Sequence, residues 1–234
     1  MQEKEKWFLW EDANRSPFMN MALDELLLEN APGLNKPLIR IYGWDRPSIS
    51  IGYVQDYFAA KKTGFTIVRR PTGGGIVYHD NDLTYTAVIP ASHPINNLDR
   101  MESYHVFHRA AMRALAHFGL EASLAQAETP TPDRATMKCF TTPTRYDLIC
   151  EDKKLAGAAQ RRTKNGILHQ GSISLDASNG DKKRLAEKLK AGIVDEFMID
   201  FVEFKPEESF IKQASGLSDE KYASDKWNIE KTIK

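Results

Sequence analysis

Arg69-Arg70-Pro71-Thr72-Gly73-Gly74-Gly75-Ile76-Val77-Tyr78-His79-Asp80 sets three consecutive glycines between two strand-like segments, directly behind a pair of arginines. Residues without a Cβ let backbone approach a ligand closely, and the N–H groups of such a turn can converge on an anion or a carbonyl oxygen. The two arginines add fixed positive charge beside it. In physical terms this is a site for a phosphate, a carboxylate or an activated acyl group, or else a flexible hairpin connection. It is not a nucleoside-triphosphate P-loop, because no Gly-Lys-Ser/Thr follows, and no dinucleotide Gly-x-Gly-x-x-Gly is present.

With 234 residues the chain lies in the size range of one domain and can enclose a core, so a single domain over 1–234 is expected. Lysine plus arginine and aspartate plus glutamate both number 32, and this balance offers no basis for nucleic acid or an anionic membrane as partner. The apolar stretches are too short to span a bilayer, and Met1-Gln2-Glu3-Lys4-Glu5-Lys6 lacks the apolar core of a secretory signal. The expected location is cytoplasmic, where Cys139 and Cys150 would remain free thiols. No Cys/His cluster has metal-ligand spacing, so no metal site is expected.

Ser16-Pro17 supplies a cap and a first-turn proline for a helix carrying Met19, Ala22, Leu23, Leu26 and Leu27, ending near Pro32-Gly33. Leu38 to Trp44 and Ser48 to Tyr53 read as two strands around Asp45-Arg46-Pro47. Thr66 to Arg70 feeds the glycine loop, and Ile76 to His79 with Leu83 to Ile89 continues the sheet. A helix through Tyr104, Phe107, Ala111, Leu115 and Phe118 can end at Gly119. Ala125 to Thr144 reads as a long irregular loop carrying Cys139. Arg145 to Glu151, Lys154 to Arg162 and Ile167 to Leu175 form a meander, with turns at Asp152-Lys153 and Lys164-Asn165-Gly166. Asp181 to Ala191 is a charged helix, Phe197 to Phe204 a short strand and Pro206 to Gln213 a last helix, with Trp227 packing onto the domain. The architecture expected is α/β (α+β), a mixed, largely antiparallel central sheet flanked by helices.

The motif Arg-Arg-x-Thr-Gly-Gly-Gly-x-Val-x-His-Asp resembles the signature of the lipoate-protein ligase and octanoyltransferase family, in which this loop wraps an acyl or acyl-adenylate group. Lys153-Lys154-Leu155-Ala156-Gly157-Ala158-Ala159-Gln160, followed by His169-Gln170-Gly171-Ser172-Ile173, resembles the family's lysine motif and the strand after it. Asn20-Met21-Ala22-Leu23-Asp24-Glu25 and a Trp44 to Tyr53 hairpin extend the resemblance over nearly the whole chain. It implies the class II synthetase-like biotin/lipoate protein ligase catalytic domain. The residues after the last strand are too few for the C-terminal accessory domain that ATP-dependent lipoate ligases commonly carry. One further stretch, Cys139-Phe140-Thr141-Thr142-Pro143-Thr144-Arg145-Tyr146-Asp147, resembles the Cys-Phe-x-x-Pro-x-x-Tyr-Glu/Asp run of the cysteine-dependent octanoyltransferases.

What the resemblance implies is transfer of an octanoyl or lipoyl group to a lysine of lipoyl carrier domains, those of 2-oxoacid dehydrogenase E2 chains or the glycine cleavage H protein, with acyl carrier protein as one donor. Such chemistry needs an apolar pocket, activation of the acyl carbonyl and donors for the developing oxyanion. At about 0.8 kcal/mol per buried methylene, an eight-carbon chain supplies roughly 5 kcal/mol of binding. The resemblance assigns Cys139 as acyl acceptor and Lys154 as oxyanion stabiliser, with Lys153 a solvated neighbour. Around the acyl group it places Arg70, Thr72, Gly73, Gly74, Gly75, His79, Gly157, Ala158, His169 and Gly171. Each has a plainer alternative. Lys154 could be an exposed lysine after a turn, Cys139 a thiol without function, His79 a residue that fixes the loop rather than moving a proton, and His169 could face pocket or solvent.

Three functions stay open. A thioester-forming acyltransferase needs no cofactor; an ATP-dependent lipoate-protein ligase, using ATP and Mg through lipoyl-adenylate, needs no cysteine. The third is a non-catalytic acyl- or carrier-binding module, against which the pair of motifs argues. Biotinylation is a further use of the fold, but the glycine loop looks more lipoyl than biotinyl.

Overall fold

The computed structural model describes residues 3–60, 62–125, 147–151, 153–174 and 182–232. In chain order the regular elements are β1 Glu5–Arg15, α1 Pro17–Glu29, α2 Ala31–Leu34, β2 Leu38–Trp44, β3 Ser48–Ile51, β4 Thr66–Arg69, β5 Val77–His79 and β6 Asp82–Pro90. There follow α3 Arg100–Ala116, β7 Ser123–Leu124, β8 Leu148–Cys150, β9 Lys153–Thr163, β10 Gly166–Ser174, α4 Lys182–Phe197, β11 Ile199–Glu203, α5 Glu208–Leu217 and α6 Asp225–Asn228, with a π-helical turn at Ser218–Tyr222 between the last two. No helix among the described residues is long and apolar enough to cross a membrane.

Among the described residues, eight strands form one sheet in the order β11-β1-β2-β6-β10-β9-β8-β7, and three form a second in the order β4-β3-β5. The pairs β1–β11 and β1–β2 are parallel, and the remaining pairs of the large sheet are antiparallel. The sheet is therefore mixed and largely antiparallel, as the strand pattern predicts. Strand alternation sends Ile39, Tyr85, Ile89 and Ile167 into a core beneath α3 and α4, and Leu38, Val88 and Leu168 into a second core beneath α1 and α5. Trp7 and Trp10, three residues apart on β1, fall on opposite faces and serve one core each.

Local expectations hold for α1, where the Ser16 hydroxyl accepts from the Met19 N–H at 3.1 Å and proline opens the first turn. They hold also for the β8–β9–β10 meander and for Trp227, which is buried. Three departures from these expectations stand out. Trp44 to Tyr53 is not part of a hairpin: β2 has both edges occupied, by β1 and β6, so β3 leaves for the second sheet and pairs there with β4 and β5. Strand β1 goes unforeseen because a register shift between Glu11 and Asn14 and charged residues on its exposed positions break the two-residue alternation. The helix at Pro206 to Gln213 is likewise not the last: α5 continues to Leu217, and α6 follows.

A buried ion network joins α1 to the sheet. The Arg40 guanidinium, fully buried on β2, donates to Asp24 at 2.7 Å, to Asp12 at 2.8 Å and to the Asn20 side-chain oxygen at 2.7 Å. It lies over the Tyr42 ring at 4.0 Å and the Trp10 ring at 5.1 Å. Removing the cation leaves the buried Asp24 carboxylate without its counter-ion and Asp12 with Arg15 alone, so Arg40→Met is expected to lower unfolding free energy by about 3–5 kcal/mol. Urea titration checks this, and a loss under 1 kcal/mol would show that the carboxylates find another partner.

His108 on α3 and His169 on β10 are buried in the core beneath that helix. Burial lowers the His108 imidazole from 6.5 to about 4, and burial with His108 as neighbour holds His169 well below the ordinary value. The unfolded chain takes up a proton as pH falls through 6.5, while the folded chain keeps His108 neutral down to about 4. Stability is therefore complete above pH 6.5 and falls across that window, by a few kcal/mol for His108. His108→Phe should flatten the slope of urea midpoint against pH; an unchanged slope would assign the acid sensitivity elsewhere.

Candidate active site

The two arginines of the sequence motif point to opposite sides of β4 and do different work. Arg69, fully buried, donates through Nη1 to the carbonyls of Gly52, Tyr53 and Gln55 and through Nε and Nη2 to the Asn228 carbonyl. Trp227 Nε1 returns a hydrogen bond to the Arg69 carbonyl at 2.8 Å. Arg69 thus ties α6 to the small sheet. Arg70 turns toward the glycine loop, donating to the Gly73 carbonyl at 2.7 Å, the Gly75 carbonyl at 2.6 Å and the Ser50 carbonyl at 2.9 Å.

Gly74 needs to be glycine twice over. Its φ is +85°, and a Cβ there would come within 2.9 Å of Arg70 Nη2 and 3.4 Å of the Ala159 methyl. Gly73 has a half-buried backbone with nothing among the described residues within 4 Å of a Cβ position. The loop is anchored below by Thr72, whose hydroxyl donates to Gln170 Oε1 at 2.6 Å; Gln170 Nε2 in turn donates to Asp24 at 2.7 Å. The glycine loop is thereby wired to the Arg40 network.

Between this loop and the α1 side of the large sheet runs a cleft lined by Tyr42, Trp44, Ser50, Arg70, His79 and Gln170, with Met21, Val77 and small residues of β9 completing it. Of the residues singled out from the sequence, Arg70, His79, Gly157, Ala158 and Gly171 line it, while Thr72, Gly73, Gly74, Gly75 and Lys154 do not. Gly171 alternates with Gln170 and Ser172 and so turns toward α3, where the Tyr85 ring fills the space a Cβ would take. It gives the cleft only backbone. His169 faces the same way as Gly171. It packs on Phe107 at 4.4 Å and contacts Gln160 at 3.0 Å, fully buried, so it faces neither pocket nor solvent. The expectation of an acyl contact from its side chain is corrected by strand alternation.

Lys154 is not the exposed lysine of its plainer reading: its side chain is 1% exposed and its ammonium pairs with Asp147 at 2.8 Å. The pair lies above Gly157, where a Cβ would meet Asp147 Oδ1 at 2.8 Å and Lys154 Nζ at 2.9 Å. Gly157, which lines the cleft, makes room for the buried cation beside it. Lys153, one residue earlier, is exposed. Cys139 lies outside the described residues. Cys150, on β8, is a half-buried free thiol.

His79 is held on both ring nitrogens, Nδ1 by Asp82 at 2.7 Å and Nε2 by the Ser50 hydroxyl at 2.8 Å, and its ring stacks on Trp44 at 3.9 Å. Asp82 also accepts from Ser172 at 2.7 Å and Thr84 at 2.9 Å. Burial pushes its carboxyl up, but the neighbouring His79 and these hydrogen bonds outweigh that and leave it below the ordinary value. Asp80, the acid that the motif displays, is exposed. Sequence reasoning missed Ser50 and Asp82. The partial signal was the serine alternation of β3 and a second acid three residues after the histidine. Among the described residues no group of three or more His, Cys, Asp or Glu side chains is arranged to hold a metal ion.

The family described as the lipoyl protein ligase A/B catalytic domain matches residues 16–203. The chain is 42% identical over 186 residues to octanoyltransferase LipM of Anoxybacillus flavithermus, a match that covers 74% of this chain and 66% of that one, just under two thirds. It is 33% identical over 274 aligned positions to octanoyltransferase LipM of Lysinibacillus sphaericus, covering 96% of this chain and 99% of the relative. The structure superposes on the bi-partite lipoate protein ligase of Thermoplasma acidophilum with a TM-score of 0.76 at 23% identity over 98% of each chain, which shows a shared fold. The chain belongs to the lipoyl protein ligase A/B catalytic domain family, and its fold is the class II synthetase-like one of that family.

Gly157→Ala should push apart the Asp147–Lys154 pair and depress activity at least tenfold, whereas Gly73→Ala should be accommodated with stability within about 0.5 kcal/mol of the parent. Thermal melts alongside acyl-transfer rates check both. Equal effects from the two substitutions would mean that loop flexibility, not room for the pair, is what the glycines provide.

Proposed function

We propose that this chain is an acyltransferase of protein lipoylation. It moves an octanoyl or lipoyl group to a specific lysine of a lipoyl carrier domain through a thioester on Cys139, with Lys154 facing the developing oxyanion. The observation that carries the reading is the buried Lys154 ammonium, held by Asp147 over Gly157, a residue that lines the same cleft as Arg70 and His79. A cation kept dry and oriented is worth more to a transition-state oxyanion than one in water. The relatives named octanoyltransferases, similar over most of the chain, favour a transferase over a ligase.

In this reading the donor is a thioester such as acyl carrier protein supplies, and ATP and Mg are not used. The acceptors are the lipoyl domains of 2-oxoacid dehydrogenase E2 chains or the glycine cleavage H protein, and the setting is the cytoplasm. Thiolate is the attacking form of Cys139, so positive charge nearby would raise its reactive fraction.

Incubation with an octanoyl thioester donor and no carrier should leave an octanoyl mass on the Cys139 peptide, released by hydroxylamine, with Cys150 unmodified. Adding a lipoyl domain without ATP should complete transfer. Cys139→Ser should abolish both steps, and Lys154→Met should lower turnover roughly a hundredfold while Lys153→Met does little. Full activity of Cys139→Ser with lipoate and ATP, and no trapped acyl-cysteine, would replace the transferase by the ligase.

A further inference from the structure

Aminolysis of a thioester needs somewhere for the amine's proton to go, and Lys154, ion-paired with Asp147, is placed as a cation rather than as a base. Among the described residues the cleft holds one arrangement suited to that task. Asp82 is kept ionised by its hydrogen bonds, so it can only accept, and His79 Nδ1 must be the nitrogen that donates to it at 2.7 Å. In the neutral ring Nε2 is then an acceptor, and the Ser50 hydroxyl, 2.8 Å away, donates to it. Arg70 Nη1 donates to the same Ser50 oxygen at 3.2 Å, and Ser50, His79 and Arg70 all line the cleft. The stacked Trp44 ring and the Asp82 carboxylate leave the imidazole little freedom to turn.

Resting on the acyl-transfer reading, we propose that Ser50, His79 and Asp82 form a proton relay that serves attack by the carrier lysine. The lysine nitrogen bonds to the acyl carbon and the carbon–sulfur bond breaks. The nitrogen's proton passes to Ser50 Oγ as the serine's own proton passes to His79 Nε2. The imidazolium so formed faces Asp82, and the proton leaves it for the departing thiolate, so that amide and thiol are the products. Ser50 meets the incoming amine; His79 and Asp82 act through it, as proton store and as positioning residue. Other charged or titratable groups around the imidazole are Arg70, from the end of β4, and Tyr42, from β2, whose hydroxyl donates to Asp24 at 3.1 Å. The Asp147–Lys154 ion pair lies over Gly157 of the β9 lining, and the other facing residues of β10 and β9, Gln170, Ser172 and Ala159, are neutral.

The test measures two half-reactions of the full chain across a pH series: loading from an octanoyl thioester donor, and transfer from the loaded enzyme to a lipoyl domain. Expected is an acid limb in the transfer step that disappears in Ser50→Ala, with transfer slowed roughly a hundredfold and loading changed far less. Ser50→Thr should restore the limb. Asp82→Asn, which removes the charge facing the imidazolium, should move the limb to lower pH. Loading and transfer slowed equally in Ser50→Ala, or a limb unmoved in Asp82→Asn, would overturn the relay. If Ser50→Ala does not fold, the Asp82→Asn limb decides alone. Should the unsubstituted enzyme load no acyl group and acylate no lysine, it is the transferase reading that falls, and the relay with it.

Discussion

One buried cation organises this molecule. Arg40 has no access to water, and a guanidinium in that position is tolerable only if every part of its fork meets an acceptor. Asp24 and Asn20, one turn apart on α1, supply two of those acceptors, and Asp12, in the irregular stretch of β1 between Glu11 and Asn14, supplies another. The helix is thereby fixed in rotation as well as position against β2. Asp24 then has a second oxygen to offer, and Tyr42, Thr86 and Gln170 all donate to it. Through Gln170 the constraint reaches Thr72 and the glycine loop. The wall of the cleft is thus held by a continuous polar thread from the first helix to the loop, crossing three strands of the large sheet.

The glycine loop owes its shape to a different economy of donors. Arg70 binds three carbonyls of the loop and of β3, so much of its hydrogen-bonding capacity goes to shaping backbone. The Lys154 ammonium, paired with Asp147, lies over Gly157 of the cleft lining. The pair exists because Gly157 has no side chain, just as the Tyr85 ring exists on the reverse face because Gly171 has none. Two glycines on neighbouring strands make room on opposite faces of the same sheet. A scan for flexible residues would treat them alike, yet each is a place where another side chain stands.

Helix starts, turns and the meander were legible because their causes are local: a serine cap, a proline in the first turn, alternating apolar residues and a lysine-asparagine-glycine turn. The site was legible in part. The glycine loop stands out on chemistry, whereas Lys154 and His79 were singled out by the resemblance to the family. Ser50 and Asp82 did not stand out, because a serine in a strand and an acid after a turn are ordinary until they meet one imidazole. His169 was misread for the opposite reason. It stands beside Gln170 in the motif, but adjacent residues of a strand look to opposite faces, and only the packing of α3 tells which face is which.

The sequence alone determined the class of fold and a loop free enough for close backbone approach, since these depend on periodicity and backbone freedom at short range, while the lysine motif was read through its resemblance to the family. Only the tertiary structure decided that β3 leaves β2 for another sheet, because that depends on both edges of β2 being taken by strands distant in sequence. It also decided which arginine shapes the loop, which face of β10 lines the cleft, and that Lys154 is a buried cation. Burial and pairing are properties of what the chain brings alongside a residue, and no window of neighbouring residues contains them.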